Sequence, residues 1–243
     1  MLARLKAYYA GQMTRPGIGG LFINPFYFAR RELFAAVKDL APQIGGRVLD
    51  VGCGTRPYEG LIAADEYVGL ELDTPENRRT KKANIYYDGH GLPFADRSFD
   101  AVICNQVLEH VFEPDAFIKD IARVLKDRGR LLLTVPFVWD EHEQPRDYGR
   151  YSSFGLAALL ERHGFHLLRQ RKTGTDLKAL FQLLNGYLYK ITVTRSAYAN
   201  LLITLLLMAP FNLVGALLAT IAPRNADLFL DNVVLAERRS PLP

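Results

Sequence analysis

The stretch Arg47-Val48-Leu49-Asp50-Val51-Gly52-Cys53-Gly54-Thr55 decides the fold of this chain. Its apolar residues around Asp50 predict a buried strand, and its two glycines predict a tight loop directly after that strand. Glycine tolerates a positive φ and, having no Cβ, lets the backbone come close to a ligand. In parallel α/β sheets, ligands bind outside the carboxyl ends of the strands, where such a loop lies. Taken alone, the same pattern is also typical of an ordinary turn between a strand and a helix.

The composition indicates a folded chain with a full core. Of its 243 residues, 49% are apolar and 23% are charged, which is enough for one α/β domain. The net charge of +4 comes without a long run of Lys or Arg, so we expect no nucleic-acid partner. The only cysteines, Cys53 and Cys104, form no Cys/His cluster, so we expect neither a disulfide framework nor a metal site. No apolar leader begins the chain, and we expect a cytoplasmic protein.

Strand and helix patterns alternate along the sequence. We predict strands at 48–51, 67–72, 84–87, 99–104, 130–135, 165–169 and 232–236. We predict helices at 26–40, at 57–64, from Pro114 to a stop at Gly129, and from Ser152 or Ser153 to Gly164. This alternation predicts a Rossmann-like α/β fold: a seven-stranded, mostly parallel sheet with helices on both faces.

Acidic residues lie at or near the ends of the first three predicted strands: Asp50, Glu71 and Asp88. A doubly wound sheet brings all three to the edge that carries the glycine loop. An acid after the second strand can accept hydrogen bonds from both hydroxyls of a ribose. We therefore expect a nucleoside with a positively charged amino-acid tail. A nicotinamide cofactor is the alternative, but the loop lacks the third glycine of that fingerprint, and Pro57 changes the helix start that a pyrophosphate would use.

Four motifs give the chain a resemblance to class I S-adenosylmethionine-dependent methyltransferases of type 11. They are the glycine stretch, Val68-Gly69-Leu70-Glu71, Asp88 with Leu92-Pro93-Phe94 and Ser98-Phe99-Asp100, and Gln106-Val107-Leu108-Glu109-His110. The resemblance implies that S-adenosylmethionine is the cofactor. It implies that the backbone from Gly52 to Gly54 holds the methionine part, that Glu71 binds the ribose, and that Asp88 with Gly89 binds the adenine. The implied cofactor-binding residues are Asp50, Gly52, Cys53, Gly54, Glu71, Leu72, Asp88, Gly89, Asn105 and Gln106; we interpret His110 as a structural residue.

A polar and aromatic run at 139–151 follows the fifth predicted strand and therefore lies at the same edge. Methyl transfer to oxygen needs a base, and a histidine has a suitable pKa. We predict His142 as the base, with Glu141, Asp147 or Tyr151 orienting it. The run resembles one in methyltransferases found beside glycan-assembly enzymes. The alternative is a charged surface loop.

An apolar segment at 196–223 contains no charged residue. A single membrane crossing there would put the last strand on the wrong side of the bilayer. We predict instead that Pro210 and Asn212 divide the segment into two helices, which form a hairpin that enters one leaflet. A dimer interface or an extra core layer are alternatives. The basic, aromatic start of the chain, with Arg4, Lys6 and Tyr8, suits an anionic membrane or a solvated helix.

We interpret 1–243 as one methyltransferase domain, with an N-terminal helical cap (1–46), a cofactor-binding core (47–172), an apolar helical insertion that docks on a membrane (173–231) and a last strand (232–239). The expected activity is methyl transfer from S-adenosylmethionine, more readily to oxygen, on a lipid-linked or glycan-type acceptor. The expected location is cytoplasmic, peripheral or monotopic at the inner face of a membrane. Two alternatives are a soluble small-molecule methyltransferase that dimerises through the apolar segment and a non-catalytic cofactor-binding membrane scaffold. The sequence does not decide whether the chain forms a homo-oligomer.

Overall fold

The computed structural model describes residues 2–240, which divide into two compact units. The first, here called the sheet unit, consists of Val37–Phe137, Glu141–Arg171 and the chain from Asn232 onward. The second, here called the helical unit, consists of the chain up to Ala36, Val138–Asp140 and Lys172–Asp231. The helical unit thus combines the start of the chain with the apolar insertion.

A seven-stranded sheet forms in the order β3-β2-β1-β4-β5-β7-β6. Its strands are β1 Gly45–Val51, β2 Ala63–Leu72, β3 Ile85–Tyr87, β4 Phe99–Asn105, β5 Leu125–Pro136, β6 Phe165–Thr173 and β7 Asp231–Arg238. The pairs β1–β2, β1–β4, β2–β3 and β4–β5 are parallel, and β7 is antiparallel. The predicted seven-stranded, mostly parallel Rossmann-like sheet is confirmed.

The helices of the sheet unit begin where their capping residues predict, but the predicted stop at Gly129 of the helix that starts at Pro114 is wrong, because that helix ends at Val124 and Gly129 lies within β5. Helix α5 (Pro114–Val124) starts with a proline in its first turn, and the Ser152 hydroxyl accepts the Gly155 N–H at 3.1 Å to cap α6 (Ser153–Arg162). A short helix, α4 (Pro75–Thr80), was not predicted and follows β2. The core between the sheet and these helices is fully buried and aliphatic: Leu49, Val102, Ile118, Ile121, Leu131, Leu133, Leu156 and Val234.

The predicted helix at 57–64 is wrong. The chain after β1 forms a loop with one 3-10 turn at Glu59–Leu61, and β2 already begins at Ala63. Arg56 has a positive φ of 57°, which turns the backbone away from the helical path just before Pro57. The glycine loop is therefore joined to β2 by a short connection rather than by a crossover helix.

The helical unit contains α1 (Leu2–Thr14), α2 (Gly20–Ile23), the first part of α3 (Tyr27–Leu40) and α7 (Leu177–Thr192). It also contains one continuous helical run of 25 residues, Ala197–Ile221, which we call the long helix. The long helix consists of α8 (Ala197–Ile203), a π-helical turn at Thr204–Met208 and α9 (Ala209–Ile221). The predicted division into two helices at Pro210 is wrong, because Pro210 occupies the first turn of α9, where its missing N–H is tolerated and the helix continues.

The long helix packs against α7 and does not fold back into the hairpin that was predicted within 196–223. Helices α7 and α9 pack together, and the backbone of Asp176, just before α7, donates to the Leu228 carbonyl at 3.2 Å. The Asp176 carboxylate also accepts the N–H of Asn225, just after α9. The two ends of this helical hairpin, α7 plus the long helix, therefore lie together, and its tip is at 193–196.

The helical hairpin exposes large apolar side chains and buries small or polar ones, the reverse of the usual arrangement in a protein surrounded by water. The residues that it buries are mostly small or polar: Ala179, Gln182, Asn185, Gly186, Thr204, Met208, Ala209, Asn212 and Gly215. The residues that it exposes include most of its large apolar side chains: Leu180, Leu184, Tyr187, Ile191, Leu202, Leu205, Leu206, Leu207, Leu213, Val214, Leu217 and Ile221. A helix packed in water normally turns such residues inward.

Buried side-chain amides hold the hairpin together. Asn185 donates to the Asn212 side-chain oxygen at 2.9 Å, and Asn212 donates to the carbonyls of Leu21 and Asn24 at 3.0 and 3.1 Å. Gln182 donates to the Pro25 carbonyl at 3.0 Å. These hydrogen bonds, rather than apolar packing alone, connect α7 and α9 to the start of the chain.

Candidate active site

The glycine loop after β1 is shaped by two positive φ angles, 66° at Gly52 and 53° at Gly54. The N–H groups of Gly52 and Cys53 both donate to the Leu70 carbonyl of β2, at 2.9 and 3.1 Å. A Cβ at Gly52 would lie 2.4 Å from the Val107 side chain, so no other residue fits there. A Cβ at Gly54 would meet nothing within 4 Å, so the backbone there faces open space. This is a cradle that a ligand can approach closely.

Glu71, at the end of β2, is tied to that loop. One of its carboxylate oxygens accepts the Gly54 N–H at 3.1 Å, and the other accepts the Leu72 N–H at 3.1 Å. The Asn77 amide also reaches Glu71 at 3.4 Å, a partner that sequence reasoning missed. A carboxylate has about four lone-pair positions, so Glu71 keeps acceptor capacity for a ligand's hydroxyls.

Asp88 and Gly89 lie at the same sheet edge. Leu72 pairs with Tyr87 in the β2–β3 register, so the residues that follow Tyr87 continue beyond the end of β2. Asp88 is exposed and accepts the His90 N–H at 2.9 Å, and Gly89 has a φ of 89° beside the Leu72 side chain. The structure therefore brings Asp88, Gly89 and Leu72 together, as the predicted adenine side requires.

Asn105 and Gln106 lie at the end of β4, beside the glycine loop. Val51 pairs with Cys104, so Gly52, just after β1, and Asn105, the last residue of β4, lie side by side at the end of the sheet. The Thr134 hydroxyl of β5 donates to the Asn105 side chain at 2.7 Å and accepts from the Gln106 side chain at 3.2 Å. Gln106 has a positive φ of 54°, an uncommon conformation for a residue other than glycine, and one typical of functional sites.

Asp50 lies beneath this loop and is nearly fully buried. The Tyr67 hydroxyl donates to its carboxylate at 2.6 Å. Burial raises the pKa of Asp50 to about 7, although the hydrogen bond from Tyr67 acts in the opposite direction. Burial also raises the pKa of the Cys53 thiol to about 12, so Cys53 contributes its backbone and not a thiolate.

Of the predicted catalytic residues, His142 and Asp147 are in direct contact within the sheet unit. The Asp147 carboxylate accepts the His142 backbone N–H at 2.9 Å and lies 3.3 Å from His142 Nδ1. Arg150 binds the same carboxylate through two nitrogens at 2.5 and 2.7 Å, and this hydrogen bonding lowers the pKa of Asp147 to about 2. His142 is thus held by a permanently ionised aspartate. Tyr151 is half-buried against the apolar core, and burial raises the pKa of its phenol, which makes it a poor base.

The loop of His142 is anchored to the segment that follows β4. The N–H groups of Tyr148 and Gly149 both donate to the Glu109 backbone carbonyl, at 2.8 and 3.1 Å. The rings of His110 and His142 meet edge to face with their centroids 4.8 Å apart. The sequence analysis named Glu109 only as part of a motif and interpreted His110 as a structural residue, whereas the structure places His110 against His142. The position of that motif after the fourth strand was the available signal that both residues lie near the site.

A model of the methyltransferase domain family (Methyltransf_23) matches residues 26–185, more than half of the chain. The chain belongs to the class I S-adenosylmethionine-dependent methyltransferases. The class I family predicted from the motifs is confirmed, while the matching model is not that of type 11, and no match supports the resemblance to the glycan-assembly subgroup. The cofactor of this family is S-adenosylmethionine.

Relatives and solved structures of this family are similar to the chain over different extents. A Mycolicibacterium smegmatis protein named "Probable S-adenosylmethionine-dependent methyltransferase" is 32% identical over 52% of this chain and 50% of its own. A demethylmenaquinone methyltransferase of Paenarthrobacter aurescens is 35% identical over 43% of this chain and 44% of its own. The chain spans about half the length of these curated relatives. The fold is also that of a methyltransferase structure from Archaeoglobus fulgidus, with a TM-score of 0.56, 16% identity, and coverage of 91% of this chain and 100% of the other.

The residues of this methyltransferase fit S-adenosylmethionine. The open backbone at Gly54, the remaining acceptor capacity of Glu71 and the exposed Asp88 lie along one edge, in the order that a methionine tail, a ribose and an adenine would need. The binding role of each residue stays a prediction from the family resemblance.

Asp50 should make the stability of the methyltransferase fall as the pH rises. Between its ordinary pKa of 3.8 and its folded value of about 7, the unfolded chain loses the proton while the folded chain keeps it. We predict that Asp50→Asn removes this loss, so that its melting temperature exceeds the wild type's by more at pH 8 than at pH 4.

Asp100→Asn is the control with the opposite sign. The Lys126 side chain and the Arg47 backbone N–H hold the pKa of Asp100 below its usual range, so its stabilisation is lost as the pH falls. That variant should lose stability mainly at neutral pH. A melting-temperature difference for Asp50→Asn that is the same at both pH values would contradict the account of Asp50.

Proposed function

We propose that this chain transfers a methyl group from S-adenosylmethionine to an oxygen of a lipid-linked or glycan-type acceptor at a membrane surface. The observation that carries the proposal is the reversed helical hairpin, which exposes leucines and buries amides and glycines. The chain is similar to methyltransferases over its core, and in this proposal the hairpin holds that core at a membrane surface.

The hairpin has the composition of helices that pack within lipid. Lipid offers no hydrophobic drive between helices, so small residues and side-chain hydrogen bonds hold them together while large apolar residues face the acyl chains. Gly215 lies against Phe181, and Asn185 bonds to Asn212, in agreement with that rule. An exposed apolar surface of this extent is otherwise typical of a protein interface.

A monotopic position accounts for the connections of the hairpin. The long helix has the length and composition to cross a membrane, at ~37 Å for its 25 residues. However, Asp176 before α7 and Asn225 after α9 are in contact, so both ends of the hairpin lie on the same side. The hairpin can therefore rest in one leaflet and return the chain to β7 on the side that it left from β6.

An apolar cleft of about 230 Å³ in the helical unit suits an acyl or isoprenoid chain. It is lined by Trp139, Leu183, Gly186 and Tyr187, and the Lys190–Asp140 ion pair, at 2.8 Å, lies beside it. The lipid tail of the proposed acceptor would lie in this cleft.

The chemistry divides among the chain's own residues. When bound, S-adenosylmethionine supplies a methyl group on a sulfonium, which departs as a thioether when the new carbon–oxygen bond forms. Glu71 and the glycine loop hold the cofactor, and most of the rate comes from positioning the acceptor in line. His142, positioned by Asp147, handles the proton that the acceptor hydroxyl loses, and that proton ends in solvent.

Two substitutions separate binding from turnover. We predict that Glu71→Ala weakens S-adenosylmethionine binding measured by calorimetry, whereas Glu66→Ala, at an exposed position near the other end of β2, leaves it unchanged.

His142→Ala should keep cofactor affinity but lower the release of S-adenosylhomocysteine about 10²-fold or more, with membrane lipid and glycan fractions as acceptors. Near-normal turnover in His142→Ala would remove that residue from the mechanism. Cofactor binding without turnover on any fraction would favour the scaffold alternative.

Membrane docking is tested by flotation with vesicles of zwitterionic and anionic phospholipid. We predict that Leu206→Glu with Leu217→Glu, both on the exposed face of the long helix, weakens binding by about tenfold or more, because each leucine loses its burial in lipid. Phe154→Glu is the matched control, since Phe154 is 84% exposed on α6, outside the hairpin. Wild type that stays lipid-free and sediments as a dimer without detergent would contradict docking and favour the soluble alternative.

A further inference from the structure

We propose that Glu109, His110 and His142 bind a divalent transition-metal ion at the acceptor side of the site. The inference rests on the proposed function for its role in the reaction, but the site itself can be tested without turnover. It revises the expectation of no metal site, because the sequence separates the ligands that the fold brings together.

The three side chains converge from two segments. Glu109 and His110 lie on a 3-10 turn, Leu108–His110, that follows β4, and His142 lies in the loop that follows β5. One ligand atom from each residue lies within 4.8 Å of the other two, a spacing that one ion can close. Both carboxylate oxygens of Glu109 are out of contact with solvent, while the two histidines are partly exposed.

Both imidazoles are oriented as metal ligands are. The Arg146 carbonyl lies 2.7 Å from His110 Nδ1, and because a carbonyl only accepts, the neutral ring carries its proton on Nδ1 and offers Nε2 to an ion. His142 Nδ1 lies 3.3 Å from the Asp147 carboxylate, which favours the same tautomer. A histidine whose second nitrogen bonds to a carbonyl or carboxylate is the usual outer arrangement of a metal site.

The surrounding contacts hold this geometry in place without an ion. Arg150 and the His142 backbone N–H fix Asp147, and the N–H groups of Tyr148 and Gly149 fix the Glu109 backbone. His110 Nε2 lies 3.9 Å from Glu109 and 3.9 Å from the exposed Glu143, so the nitrogen that carries the lone pair faces carboxylates. Glu109, His110 and His142 are thus held in place around a position where the nearby carboxylates favour a positive charge.

The donor set selects the kind of ion. Two imidazole nitrogens and one carboxylate suit zinc, manganese or iron(II) better than calcium or magnesium, which prefer oxygen ligands. Three protein ligands leave coordination positions open, as catalytic sites do. An acceptor hydroxyl in an open position would have its pKa lowered by the ion. In that arrangement His142 would hold the ion in place of taking the proton, and the hydroxyl proton would pass to solvent. The oxygen would form its bond to the methyl carbon as the bond from that carbon to the sulfonium sulfur breaks and S-adenosylhomocysteine leaves.

Metal binding by tag-free, chelator-treated protein tests the site directly, using zinc and manganese in calorimetry and cobalt(II) as a spectroscopic probe. We expect one equivalent bound and a visible cobalt absorption typical of nitrogen ligation. Glu109→Gln and His110→Asn should each weaken binding about tenfold to a hundredfold. His163→Ala is the matched control, because His163 is similarly buried and pairs with Asp115 at 2.8 Å elsewhere in the sheet unit. If Glu109→Gln fails to fold, the metal affinity of His110→Asn decides the outcome.

The outcomes separate this inference from the proposed function. No ion bound, with S-adenosylmethionine still bound and S-adenosylhomocysteine released, would overturn the metal site alone. Equal binding by wild type and both ligand variants would also overturn it, because the ion would then lie elsewhere. One equivalent bound and lost in both variants supports the metal site even where no acceptor is methylated, and in that case the proposed function fails by itself.

Discussion

The hydrogen bonds between the glycine loop and the end of β2 are the interaction on which the site depends. The Leu70 carbonyl accepts the N–H groups of Gly52 and Cys53, and the Glu71 carboxylate accepts that of Gly54. These bonds satisfy a tight turn whose backbone would otherwise lack partners, and they leave its outer side open. Because no crossover helix intervenes after β1, these bonds and the parallel pairing of β1 with β2 keep Glu71, the residue predicted to bind the ribose, beside the glycine loop.

A second set of contacts brings the acceptor side to the same edge. The segment after β4 presents Asn105 and Gln106 beside the glycine loop and, three residues later, the Glu109 carbonyl that anchors the loop of His142. One short piece of chain therefore faces the cofactor edge at its start and carries the polar cluster at its end. Under the proposed function, this arrangement would let the loop after β5 handle the acceptor beside the glycine loop.

The sheet and the cofactor edge could be predicted because their signals are local. The strand around Asp50, followed by two glycines, and the helix that begins at Pro114 can each be recognised from about a dozen residues, although the predicted end of that helix at Gly129 was wrong. The helix predicted at 57–64 failed because the positive φ of Arg56 and the tie to β2, which no periodicity reveals, override it. The hairpin was misjudged because Pro210 was weighed as a helix breaker, although the helical run from Ala197 to Ile221 passes through it, with a π-helical turn at Thr204–Met208 just before. The cluster of Glu109, His110 and His142 was missed because its members are close only in the folded chain.

Hydrogen exchange read by mass spectrometry, with and without S-adenosylmethionine, tests the central claim most directly. If the glycine loop and the end of β2 form one cradle, the cofactor will slow exchange together at 52–56, 71–77 and 88–90, and it will leave the far end of the sheet, at 96–100, unchanged. Protection confined to one of those segments, or absent from all of them, would contradict the account.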